Sequence, residues 1–117
     1  MATNSQIAFN PQGKTVVIAA AATAPTGVQA LVSKFASNQA TGQYRIVNAG
    51  SNTVFLGFGA SAAEAQANAV APVAGTPSNA IVLVAGAVEV LRFNPESYFS
   101  GSASSATTVY ITQGQGI

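Results

Sequence analysis

An all-β fold, a jelly-roll-like β-sandwich of about seven or eight short strands with one short helical insertion, is predicted by three features of the sequence. Short runs rich in Val, Ile, Phe and Tyr recur along the chain, the residue types that fit a pleated surface. Clusters of Gly, Pro, Asn and Ser separate them at short intervals, as turns between strands do. Only one segment, residues 61–70, carries a helix-start signature. Double-sheet packing suits such a chain because it hides most strand edges.

At 117 residues the chain is long enough for one domain with a real core. We divide it into an N-terminal arm, residues 1–14, and a single β-sandwich domain, residues 15–117. The arm is mostly polar and is expected to hold at most one short strand near residues 7–9. It either frays or orders on a neighbour.

Residues 15–22, TVVIAAAA, open with β-branched residues and end in four alanines. The Val-Val-Ile start and the following Pro25-Thr26-Gly27 turn favour a strand to about Ala21 over a helix. Residues 28–35, VQALVSKF, alternate as a strand yet also place Val28, Leu31, Val32 and Phe35 on a helical stripe; the β-rich surroundings favour strand. Residues 37–42 read as a loop.

Residues 44–47 and 53–58 flank the turn Asn48-Ala49-Gly50-Ser51-Asn52, which predicts a β-hairpin with a five-residue loop. In SAAEAQANAV, residues 61–70, Ser61 and Glu64 form an S-x-x-E capping box, and Pro72 stops the helix. The segment is expected as a crossover between sheets or as an exposed contact element. Residues 72–78 are a connector rich in turn formers. Residues 80–84, AIVLV, form a continuous apolar run, expected as a strand covered on both faces. Residues 88–93 alternate, with Val88, Val90 and Arg92 on one side and Glu89, Leu91 and Phe93 on the other. After a turn at residues 94–97 come a brief aromatic strand at Tyr98 and Phe99, a flexible loop at residues 101–106, a final strand at residues 107–112, and a Gly-rich tail at 113–117.

Charge is the unusual quantity. Four basic residues, Lys14, Lys34, Arg45 and Arg92, stand against three acidic ones, Glu64, Glu89 and Glu96, and only 6% of the chain is charged. About 25% is ordinary. Spread over the roughly 5,800 Å² that a domain of this mass exposes, this leaves one charge per about 800 Å². Charges keep a monomer soluble and repel chance contacts, so the composition points to a protein covered by neighbours in an assembly or to one that sits where crowding is weak, with assembly favoured. Four scattered basic residues make no patch for nucleic acid. No apolar run approaches the twenty or so residues that a membrane helix needs. The start, MATNSQ, lacks the basic and apolar regions of a signal peptide, so synthesis and use in a cytosol are expected.

The chemistry of active sites is thinly represented. There is no Cys and no His, which removes thiol ligation, disulfides and the commonest general base. Asp is absent too, so no metal or other cofactor is expected. A carboxylate pair would have to come from Glu64, Glu89 and Glu96. Gly57-Phe58-Gly59 stands before the helix faintly as a phosphate loop would, but without the longer glycine pattern or a following Lys. The serines between positions 100 and 105 have no base to activate them. Phe55, Phe58, Phe93, Tyr98, Phe99 and Tyr110 are expected in the core, or lining a sugar or peptide groove. No catalytic, cofactor or metal residue is assigned, and the chain is expected not to be an enzyme.

The run YRIVNAGSNTVFLGFG, the Ala-rich insertion after it, AIVLVAGAVEVLRF and the ending TTVYITQGQGI together resemble small head proteins of tailed bacteriophages. These are the capsid decoration or cement proteins, most of all those of podoviruses. The motifs R-I-x-N-x-G, A-G-x-V-E-V-L and V-Y-I-T-x-G carry the resemblance, which covers residues 43–117; residues 1–42 contribute nothing to it. The resemblance implies a jelly-roll-like virion protein on the capsid exterior. It would bind the major capsid protein and its own copies, as a dimer or trimer, and stabilise contacts between capsid subunits. No site residue transfers from it. On this view the arm and residues 61–77 are the expected contact regions. The alternative is a virion-surface binding module, lectin-like or fibre-type, that recognises a sugar or receptor through a concave aromatic and polar cluster.

Overall fold

The computed structural model describes residues 10–11, 14–30, 43–94 and 97–115. Nine strands and one helix follow in the order β1 (Asn10–Pro11), β2 (Val16–Ala20), β3 (Val28–Gln29), β4 (Gln43–Asn48), β5 (Val54–Gly59), α1 (Ala62–Asn68), β6 (Ile81–Leu83), β7 (Val88–Arg92), β8 (Tyr98–Ala103) and β9 (Thr107–Gln115).

The strands pair as a nested set. β5 pairs with β6, β4 with β7, β3 with β8 and β2 with β9, all antiparallel. This is one long antiparallel ribbon, and it wraps on itself. Wrapping adds the β4–β9 and β5–β8 pairs and divides the strands into two sheets. The first has the order β2-β9-β4-β7, with β1 beside the last residues of β9 on the same side as β2. The second has the order β3-β8-β5-β6. The fold is therefore a jelly-roll sandwich, and the predicted class holds.

Side-chain alternation explains the layers. Ile18 and Ala20, Tyr44 and Ile46, and Val109 and Ile111 point inward from the first sheet; Val54 and Leu56, Leu83, Phe99 and Ala103 point inward from the second. Among the aromatics, Phe99 is fully buried and Phe58 and Phe93 are half-buried; with Tyr44 they form a cluster with ring centroids 4.7 to 5.9 Å apart. The Tyr44 hydroxyl donates to the Asn94 carbonyl and accepts from the Ser97 amide, both at 3.3 Å. The ring is thus buried without stranding its polar tip.

Several expectations need correction. Residues 44–58 are not a hairpin. β4 and β5 belong to different sheets, and the five-residue turn is a corner between them. Asn48 makes that corner. Its side-chain amide donates to the carbonyls of Asn52 (2.9 Å), Leu83 (2.9 Å) and Val84 (3.1 Å), while its Oδ1 accepts from the Gly50 amide at 3.1 Å. Its own amide donates to the Ala87 carbonyl and its carbonyl accepts from Gly86. One buried residue so binds the β4–β5 corner to the β6–β7 corner. The latter turns through Gly86, whose φ of +80° favours glycine.

The serine- and glycine-rich stretch beginning at residue 100 is strand through Ala103, and β9 runs three residues past Thr112. Small size there reflects close packing. A Cβ on Gly101 would lie 3.0 Å from Val54, and the Ser100 hydroxyl donates to the Pro25 carbonyl at 2.6 Å. Residues 80–84 are not covered on both faces, since Val82 and Val84 are exposed. Gln29 closes β3, while residues 31–42 and the expected strand at residues 7–9 lie outside the described residues.

Helix α1 joins two neighbouring strands of one sheet, so it is not a crossover between sheets. The Ser61 hydroxyl accepts from the Glu64 amide at 3.2 Å, and the Glu64 carboxylate accepts from Ala60 at 2.8 Å, one residue before the usual capping-box partner. The helix lies on the outer face of the second sheet, where Gly57 lets it approach: a methyl group at that position would collide with the backbone of Ala65 and Ala69. Asn68 donates to the Phe58 carbonyl (2.9 Å) and Gln66 to the Ala24 carbonyl (2.8 Å), fixing the helix at both sides.

This packing leads to three stability predictions. Asn48→Ala removes three donor bonds and leaves a buried carbonyl without a partner, so urea denaturation should register a loss of about 2–4 kcal/mol. Asn52→Ala removes bonds to the exposed Ser105 hydroxyl and to the buried Thr107 hydroxyl, which keeps its bond to the Ser105 carbonyl, and should lose less than about 1 kcal/mol. Gly57→Ala should cost about 1–3 kcal/mol by forcing helix and sheet apart, with loss of amide protection in α1 read by hydrogen exchange.

Candidate functional site

Two surfaces stand out, one apolar and one concave. The apolar surface begins with a long uncharged segment. Residues 65–88 contain no charged side chain. Within it Val70, Val73, Val82, Val84 and Val88 are 50% to 64% exposed. β6 ends the second sheet and β7 ends the first. The short turn of residues 84–87 and the Asn48 bonds hold these two edges side by side. Exposed edge strands are usually guarded by Lys, Pro or inward charges, and β6 has none of these.

The outer face of the first sheet carries apolar residues as well, reached through Val88. Val17 pairs with Tyr110, Tyr110 with Val47, and Val47 with Val88. This registers an apolar row over β2, β9, β4 and β7. Val17 and Val88 are both 52% exposed and Tyr110 is 41% exposed. The next row is Thr15, Thr112, Arg45 and Val90, with the Thr15 and Thr112 hydroxyls 2.6 Å apart. The two sheets are thus unequal. The second has α1 over its outer face, whereas no described helix covers the first.

The concave surface is a groove of about 920 Å³ at one end of the sandwich. The last residues of β5, helix α1, the loop before β6, the end of β7 and the start of β8 converge there. Phe58 and Phe93 line its apolar part, and Glu64, Asn68, Asn79, Arg92 and Asn94 its polar part. Internal hydrogen bonds hold some of these groups. Asn68 accepts from the Asn79 amide at 3.4 Å, and the Asn94 carbonyl accepts from Tyr44 and Ser97.

The residues considered for chemistry go to separate places. Glu64 caps α1, and Glu89 lies on β7 opposite Ile46. Glu96 lies outside the described residues. Gly57 serves helix packing, which accounts for the glycine before the helix without any phosphate. Ser100 bonds the Pro25 carbonyl. Of the aromatics, Phe99 is buried and Phe58 and Phe93 are half-buried, Phe55 and Tyr98 are half-buried, and Tyr110 is exposed on the first sheet. Sequence reasoning missed the groove because its residues are far apart in the chain; Asn79 in a turn-rich connector and Asn94 before a proline look like ordinary loop residues. The valine row was missed for a related reason: alternation assigns Val88 and Val90 to one face but does not say which face is buried.

Comparison with protein-family models, with curated proteins and with solved structures finds no match to this chain. Among the described residues no helix is long and apolar enough to cross a membrane.

Proposed function

We propose that this protein is a structural virion protein that decorates and cements the exterior of a tailed-phage capsid. It would bind the major capsid protein and further copies of itself. The observation that carries the reading is the uncharged segment of residues 65–88, which contains the unguarded β6 edge and five exposed valines, the last of them, Val88, opening β7. Exposed apolar surface of this kind, joined to the row ending at Tyr110 and Val17, marks a contact with other protein. A solitary soluble domain gains nothing from it. In a shell the contacts repeat, so each weak docking strengthens the next by raising effective concentration.

The sandwich suits that work mechanically. Its open edges add strands or apolar contacts laterally, while the helix-covered sheet needs no partner. The charge arrangement agrees: among the described residues Arg45 and Arg92 are the charged ones on the outer strand positions of β4 and β7, so a partner there needs few charges of its own.

The test uses purified shells of the phage that encodes the chain. The protein should be recruited to preformed shells and raise the temperature at which they rupture. The Val82→Lys, Val88→Lys double variant changes exposed positions only and should keep its fold by circular dichroism. It should bind at least about tenfold more weakly, equivalent to about 1.4 kcal/mol. Unaltered occupancy by the double variant, or indifference of the wild-type chain to the shells, would contradict the reading.

A further inference from the structure

We propose that the outer face of the first sheet receives an acidic side chain, Asp or Glu, of the shell protein on which this chain docks, and that Arg45 binds its carboxylate. The inference rests on the cementing reading for the existence of that partner and adds what the partner must present. It comes from the position of one cation. The register places Arg45 between Thr112 of β9 and Val90 of β7, one row from Val17, Tyr110, Val47 and Val88. Arg45 is exposed and makes no hydrogen bond or ion pair among the described residues. Arg92, the cation one row further on, has an interaction of its own and takes no part in the argument.

The groups beside the guanidinium point to the ligand. Arg45 lines a hollow of about 410 Å³ together with Pro11, Thr15 and Thr112. The Thr15 and Thr112 hydroxyls are 2.6 Å apart, so one donates to the other. One of the two hydroxyl protons is left over and can be donated outward. The hollow thus offers an unspent guanidinium fork and a hydroxyl donor, and no acidic group lines it among the described residues. That donor set matches the two oxygens of a carboxylate, which accept in parallel from an arginine. A phosphate-rich partner calls for clustered cations instead. Around the hollow, the exposed valine and tyrosine row gives a partner apolar surface to cover, the setting in which a single arginine concentrates binding energy.

A second copy of this chain fits the face poorly. Glu64 caps α1, on the other sheet, and Glu89 shares the inward side of β7 with Leu91, opposite the buried Ile46. Glu96 lies outside the described residues. Two first sheets packed face to face would bring Arg45 against outward strand positions that hold no carboxylate. Covering a guanidinium without a partner is costly, so the face selects a protein that brings the acid.

The experiment measures, by cosedimentation, binding of the full chain to purified preformed shells of the phage that encodes it, at about 50 mM and about 500 mM NaCl, on either side of the screening range. Arg45→Gln, Arg45→Lys and Arg45→Glu alter an exposed position, so their circular dichroism and urea midpoints should match the wild type. Arg45→Gln should bind about tenfold more weakly at the lower salt and respond less to salt than the wild type. Arg45→Lys keeps the charge and loses the fork, and should fall about threefold or more below the wild type. Arg45→Glu should bind most weakly. The sedimentation mass of the chain without shells should be the same for the wild type and Arg45→Gln. If the wild type ignores the shells, this proposal falls together with the cementing reading. If it binds and the three variants bind equally well, the proposal alone falls. Binding by Arg45→Lys as tight as the wild type would mean a diffuse charge effect and overturn the carboxylate fork. A lower sedimentation mass for Arg45→Gln would give the face to a second copy and overturn the proposal as well.

Discussion

At Asn48 the chain leaves one sheet for the other, and the rest of the architecture depends on how that corner is held. Asn48 itself is buried, and a carbonyl turned toward it, as that of Leu83 is, has no water to bond. The Asn48 amide answers three carbonyls, and its backbone answers two more groups of the β6–β7 turn. The β4–β5 and β6–β7 corners are thereby locked together. Their mutual position sets the register of β4 against β7, and it brings β6 and β7 out on the same side of the molecule.

Packing then makes the two faces of the sandwich different in kind. On the second sheet, Gly57 and the alanines of α1 remove the side-chain volume that would keep a helix at a distance. The helix covers that face at close range and is held by Gln66 and Asn68. A helix of seven residues is too short to be stable alone, so its small side chains and its cap serve docking. On the first sheet the outward positions are valine, threonine and tyrosine, which suit a β-surface awaiting contact. The scarcity of charge has its consequence here: with seven charged residues in the chain, neither the valine row nor the β6 edge is shielded.

Much of this was legible in the sequence, and what was not has definite causes. Strand-rich composition and turn spacing specify a sandwich, and Ser61 with Glu64 marks the helix start to within one residue. The alternation of residues 88–93 places Leu91 and Phe93 together correctly. Asn48-Ala49-Gly50 misled because local turn chemistry is the same for a hairpin and for a corner between sheets; only the distant partners Leu83 and Ala87 distinguish them. Small residues misled in the opposite direction. Ser100 and Gly101 look like loop formers, yet they are strand residues chosen for close approach. The groove depends on residues from position 58 to position 97, so no local pattern announces it.

On the proposed reading, a sandwich with one face covered by its own helix and with an uncharged β6 edge is a subunit of a larger assembly. The functional account rests on the claim that this edge is normally covered by protein. Sedimentation equilibrium of the full-length chain, from micromolar to millimolar concentration, tests that claim most directly. The account predicts a weight-average mass that climbs above the 11.6 kDa of one chain as concentration rises. A mass that stays at the single-chain value across the whole range would contradict it.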